Sequence, residues 1–229
     1  MKQIEIQDHA AQWKPLYKIA GFAAIVMLMI IPTQISVFTM FPIPDSIENW
    51  FSLYHSNWLL GLIHQDALYI INNILVALMY LAFYVALRPR NESMMTVALL
   101  LGLLGISAYL ASNKSFELLN ISNRYAAAST DAQKSMLLAA GQALLAGWQG
   151  TAFLVYYVLN GIALIMISCV MLKSTVFSRK TAVIGLISGV LMMVPSTAGT
   201  LGLWFSLASL IPWYVFSILC AKRFLEMGQ

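Results

Sequence analysis

Residues Trp58 to Arg90 read WLLGLIHQDALYIINNILVALMYLAFYVALRPR. The run up to Leu87 is overwhelmingly apolar and then stops at a proline between two arginines. About 20 apolar residues match the hydrocarbon thickness of a bilayer. In lipid, a single segment satisfies its own backbone only as an α-helix. The cations at one end mark a side, because cytoplasmic loops carry the excess of Lys and Arg. This stretch therefore predicts a transmembrane helix that runs from outside to inside.

The same reading extends in both directions. Upstream, Leu16 to Phe41 predicts a first span with Pro32 inside it. Lys14 and Lys18 precede it as in a signal peptide, but no A-x-A-like cleavage site follows, so an uncleaved span is expected. Phe41-Pro42-Ile43-Pro44 breaks that helix. Asp45 or Ser46 can cap a short interfacial helix holding Glu48, Trp50, Phe51 and Tyr54. Downstream, a third span begins near Ser93, turns less apolar after Ala111 and stays helix-compatible to Ala128. Thr130 and Gln133 have capping-box spacing, so a new helix starts there. Met136 to Trp148 is too short to span. It reads as the outward extension of a fourth span over Thr151 to Leu172, with a re-entrant or interfacial helix as the alternative. A fifth span is expected over Thr181 to Ser196, with Gly185 and Gly189 as a packing face. A sixth is expected over Leu201 to Ala221. The fold class is all-α: a polytopic transmembrane helical bundle of about six spans in one integral membrane domain, 1–229. A long outward-projecting helical hairpin would join spans three and four.

Composition agrees. Of 229 residues, 60% are hydrophobic and 10% charged, against about a quarter charged in soluble domains. The net charge is +4, but the cations sit singly or in pairs at the ends of apolar blocks. There is no basic stripe of the kind that tracks phosphates, so no nucleic-acid partner is expected. With both termini inside, ten cations are cytoplasmic: Lys2, Lys14, Lys18, Arg88, Arg90, Lys173, Arg179, Lys180, Lys222 and Arg223. Only Lys114, Arg124 and Lys134 lie outside. The expected location is a multi-pass protein of the cytoplasmic membrane, with the lipid bilayer as its first partner.

Polar side chains in hydrocarbon are costly unless paired, so they are informative. Asp66, Tyr69, Asn73, Tyr80 and Tyr84 share one helical face, with His64 and Asn72 beside it. Gln149, Tyr156 and Asn160 form a similar line on the fourth helix. Asn113, Glu117, Asn120 and Arg124 share a face further out. Asn72 or Asn73 is expected to meet Asn160 at mid-depth. Together with Asp66, Glu117, Asn120, Arg124, Gln142, Gln149 and Tyr156, they could line a ligand cavity open to the outside. The plainer reading is that the asparagines bridge helices and the outer charges meet water. His55, His64, Asp66 and Glu117 have metal-ligand types but no diagnostic spacing, and His9 lies in the tail; no metal, cofactor or catalytic residue is assigned. The P-loop, G-x-S-x-G, H-E-x-x-H and G-x-G-x-x-G patterns are absent from the sequence. Tyr69-Ile70-Ile71-Asn72-Asn73-Ile74 echoes Tyr157-Val158-Leu159-Asn160-Gly161-Ile162, for which chance is the favoured reading.

Several words carry a resemblance: Arg124-Tyr125-Ala126-Ala127-Ala128, Met136-Leu137-Leu138-Ala139-Ala140-Gly141-Gln142, Gly150-Thr151-Ala152-Phe153, Tyr157-Val158-Leu159-Asn160-Gly161 and Val194-Pro195-Ser196-Thr197-Ala198-Gly199-Thr200. In these the chain resembles the bacterial multi-spanning membrane proteins grouped as domain of unknown function 4386. The resemblance covers most of the chain and is most distinctive between Asn120 and Pro212. It implies a bacterial cytoplasmic-membrane protein and no particular activity.

Three functions compete. The first is a protein that binds or transports a small or lipid-like molecule through a polar cavity open to the outer side, for which a homo-oligomer would make a larger conduit. The second is a structural or regulatory subunit acting through the outward hairpin, where Ala139, Ala143 and Gly147 allow close approach of another helix. The third is an intramembrane lipid hydrolase built on His55, His64, Asp66 and Glu117.

Overall fold

The structure, a computed structural model, describes residues 11–148, 150–194, 196 and 199–229. His9, Lys2, Gln149, Pro195, Thr197 and Ala198 lie outside the described residues. Among the described residues ten helices follow one another: α1 (Lys14–Met40), α2 (Ile47–Ser56), α3 (Trp58–His64), α4 (Ala67–Leu87), α5 (Glu92–Ser112), α6 (Ser115–Ala126), α7 (Asp131–Trp148), α8 (Thr151–Leu172), α9 (Arg179–Met192) and α10 (Gly199–Met227). Among the described residues five helical runs are long and apolar enough to cross a bilayer: α1, α4, α5 with α6, α7 with α8, and α10. The expected fifth span is shorter than the sequence suggests. Its helix, α9, has 14 residues, about 21 Å of helix against roughly 30 Å of hydrocarbon.

Packing neighbours close a ring in the order α1, α4, α5, α8, α9, α10 and back to α1. Tyr80, Phe83, Phe216, Phe224, Met27 and Met79 fill its interior. Phe22, Met29, Ile71, Ile74, Leu100, Val190 and Ile211 point outward and stay exposed. An apolar exterior of this extent suits lipid, since soluble monomers do not expose such large contiguous patches. Small residues set the closest approaches. A Cβ at Gly185 would meet Ser168 and Phe216, and one at Gly189 would meet Ile165 and the Gly161 carbonyl. The Gly185–Gly189 face thus packs α9 between α8 and α10.

Pro32 sits inside α1. It has no N–H for the carbonyl four residues back, so Leu28 loses its helical partner. The Tyr214 hydroxyl of α10 donates to the Leu28 oxygen at 2.7 Å. The cost of an interior proline is thereby offset across the α1–α10 contact. Tyr214→Phe should cost about 1–3 kcal/mol, the penalty for a buried group left without a partner. An unchanged melting midpoint in detergent would count against this role.

The short helices α2, α3, α6 and α7 gather at one end as a cap. Ile47, Trp50, Phe51, Tyr54, Leu62, Leu118 and Trp148 form its own hydrophobic core. Its helix starts follow the sequence. Ser46 accepts from the Asn49 N–H at 3.2 Å. Thr130 accepts from the Gln133 N–H, and the Gln133 side chain reaches back to the Ser129 N–H, both at 3.3 Å.

Two expectations need correction here. Trp58 to Leu87 is not one helix, because Asp66 takes φ 61°, a left-handed conformation that ends α3 and starts α4. The hairpin is jointed rather than a straight continuation of the spans. Asn113 breaks the third helix, with its Nδ2 donating to the Gln65 carbonyl at 2.8 Å and its Oδ1 accepting from the Ser115 N–H at 3.1 Å. Gly150, in extended backbone, separates α7 from α8. With those joints, α6 and α7 pack on each other and on α2.

Candidate functional site

The polar face of α4 becomes a seam between α4, α5 and α8. Tyr80 donates to Asn160 Oδ1 at 2.8 Å, and Asn160 Nδ2 donates to the Tyr156 carbonyl at 3.0 Å. Asn73 Nδ2 donates to the Tyr69 carbonyl at 2.8 Å, and the Tyr156 phenol lies beside the Asn73 side chain. The expected direct meeting of Asn72 or Asn73 with Asn160 is not formed. Tyr156 links them instead, its carbonyl accepting from Asn160 and its phenol lying beside Asn73. Below the seam the Arg88 guanidinium lies over the Tyr84 and Trp13 rings, 5.7 Å from each centroid.

The seam ends beneath the cap at Asp66. Its left-handed backbone is one that Asp and Asn tolerate better than most residues. Although it stands at the start of α4, its side chain makes no capping bond. Instead the carboxyl is coupled electrostatically to Tyr69 and Tyr109 and lies by the Trp148 indole. Burial pushes this carboxyl up, to about 7, and the Trp148 N–H limits the rise. That N–H nevertheless makes no hydrogen bond of ordinary length and angle. Ring packing draws in the rest: Tyr109 and Tyr156 centroids are 4.9 Å apart, Tyr156 and Tyr157 5.4 Å, and Tyr109 and Phe153 6.1 Å.

Several buried polar atoms at this end have no partner: Tyr109 Oη, Trp148 Nε1, Asn73 Oδ1, Asn72 Oδ1 and both amide atoms of Gln65. Each such group costs about 1–3 kcal/mol, and native proteins hold few.

The other candidates fall elsewhere. Glu117 and Asn120 line an open groove of about 710 Å³ with Ile70, Leu110, Asn113, Phe116, Ile121 and Leu144. Arg124 and Gln142 are exposed on α6 and α7, and Asn72 is buried. Gln149 lies outside the described residues. His64 has Nδ1 against the Leu60 carbonyl at 3.1 Å and Nε2 against the Phe41 carbonyl at 2.9 Å. Among the described residues no three His, Cys, Asp or Glu side chains gather as a metal set, so His55, His64, Asp66 and Glu117 do not converge. Tyr109, Tyr157 and Trp148 were not singled out from sequence as site residues. Their only signal is aromatic content at span ends, which interfacial anchors share.

A family model described as Domain of unknown function (DUF4386) matches residues 25–221. The chain belongs to the DUF4386 family. The match takes in every membrane-spanning run at least in part, and all of the seam and the cap. For this DUF4386 member no curated protein and no solved structure matches.

Proposed function

We propose that this protein binds or transports a small or lipid-like molecule at the capped end of its spanning bundle. We place that end on the outer face of the cytoplasmic membrane, with both termini inside. The ten-to-three division of cations supports the orientation. One observation carries the ligand reading: the buried, unpartnered Tyr109 hydroxyl and Trp148 indole N–H both lie by a partly accessible Asp66, at the end of the bundle where Asn73 and Gln65 also hold unpartnered amide atoms. Polar groups at membrane depth are costly, and function is the usual reason for keeping them.

Native mass spectrometry of protein extracted from its own membranes tests this. We expect a stoichiometric adduct of small-molecule or lipid mass, lost when Tyr109→Phe and Asn73→Leu are combined. Bare protein from every extraction would sink the proposal.

A second reading, a structural or regulatory subunit, has one observation in its favour. Ala139 and Ala143 are exposed on α7, and a Cβ at Gly147 would meet open space. The small-residue stripe is left uncovered by the rest of the chain.

A further inference from the structure

We infer that the cluster around Asp66 recognises an organic ammonium group, carried by a molecule that also bears a hydroxyl or ester oxygen. This rests on the ligand-binding reading above and narrows it to one charge class.

The charge comes from what surrounds the carboxylate. Among the described residues no lysine or arginine pairs with Asp66; the ion pair found is Arg223 with Glu226, elsewhere in the fold. A poorly hydrated carboxylate with no cation of its own disfavours an anionic ligand and suits a cationic one. The type of cation comes from the walls. Tyr69 and Tyr109 are coupled to Asp66, and Tyr156 and Tyr157 to Tyr109. The Tyr156 and Tyr157 rings stand at 83° and the Tyr109 and Tyr156 rings at 53°. Rings set at such angles present faces as well as edges. Aromatic faces attract cations through their quadrupole, and quaternary ammonium groups are recognised in this way. A hard metal ion would need six or more oxygen ligands, and no acidic set gathers here.

The second requirement comes from the unpartnered atoms. Tyr109 is 3% exposed and Trp148 8%, and the hydroxyl and the indole N–H are both unbonded. Asn73 is fully buried with Oδ1 free. The indole can only donate and the amide oxygen can only accept. A hydroxyl beside the ammonium meets both needs, and an ester oxygen meets the first. Asp66 and Tyr69 keep part of their surface accessible, so the carboxyl can be reached from outside the bundle core.

Choline is the probe, titrated calorimetrically against the full chain in phosphatidylglycerol nanodiscs. Its neutral isostere 3,3-dimethylbutan-1-ol keeps the hydroxyl and the shape but replaces nitrogen by carbon. We expect saturable choline binding, at least tenfold weaker binding of the isostere, and at least a tenfold loss in Asp66→Asn. Asparagine accepts the left-handed backbone, so that variant should fold. The isostere comparison uses the unaltered chain and does not depend on it. Equal binding of the isostere, undiminished binding by a folded Asp66→Asn, or no saturable choline binding would each overturn the inference. An adduct seen by mass spectrometry while choline fails would leave the ligand reading standing and remove only the ammonium. Replacing half the lipid by phosphatidylethanolamine separates sources. Lost choline binding marks a lipid-borne ammonium, and unchanged binding a free solute.

Discussion

Gly105→Leu should lower stability by about 3 kcal/mol, the upper part of the range for overpacked cores. A Cβ at Gly105 would meet Asn160 Nδ2 and lie 3.2 Å from Leu159 Cβ. The α5 and α8 backbones therefore approach here because nothing stands between them. A leucine must either push the helices apart or expel the Asn160 amide from its bond to the Tyr156 carbonyl. Packing and hydrogen bonding fail together, which is why the expected cost is large. The measurement is the unfolding midpoint in mixed micelles, with yield after detergent extraction as a second readout. A wild-type midpoint would mean that the close approach contributes nothing. Gly102 gives a weaker version of the same effect, because the Cβ there would meet the Tyr80 ring, which has some freedom to shift.

Asn160→Ala should cost about 2–3 kcal/mol. The change removes the acceptor of the buried Tyr80 hydroxyl and leaves that group without a partner, at about 1–3 kcal/mol. It also removes the bond to Tyr156, whose net worth is about 1 kcal/mol. Tyr80→Phe should cost less, because Asn160 keeps its Nδ2 bond and an under-used carbonyl oxygen is more easily tolerated. The double variant should be more stable than the two costs added together predict. Neighbours in one hydrogen-bond network couple by about 0.5–3 kcal/mol. Additive behaviour in this cycle would show that the Tyr80–Asn160 bond holds nothing. If Asn160→Ala lowers stability but leaves the small-molecule adduct in place, the seam is a helix bridge and the ligand site is confined to the Asp66 end.

The spans were legible because hydrocarbon sets a length, and blocks of about 20 apolar residues stand out against charged boundaries. The helix starts at Ser46 and Thr130 were legible because their chemistry is local. The joints were not. Asp66 breaks its helix through one residue's backbone, and a hydrophobic pattern carries no trace of a left-handed φ. Gly150 interrupts a helix without a proline, and the polar run Ser112-Asn113-Lys114-Ser115 is compatible with an unbroken helix passing out of lipid. The polar seam was partly visible, since Asp66, Asn73, Tyr156 and Asn160 are conspicuous in apolar surroundings. Their arrangement was hidden, because sequence suggests an amide–amide contact where a tyrosine intervenes. Sequence groups Glu117, Asn120, Arg124 and Gln142 with the seam because all belong to the polar outer part of the chain. Once α6 folds back on the cap, two of them line a separate groove and two face outward.

The bond from Tyr214 to the Leu28 carbonyl spans 186 residues and joins a spanning helix made early to one made much later. At about 5–20 residues per second on the ribosome, roughly 10–40 s separate the two segments. Through that interval the nascent first helix enters lipid with a carbonyl that only a helix still unmade can satisfy. Synthesis of α10 is then the event that closes the barrel of helices. A chain halted before Tyr214 would be left for quality-control proteases to find.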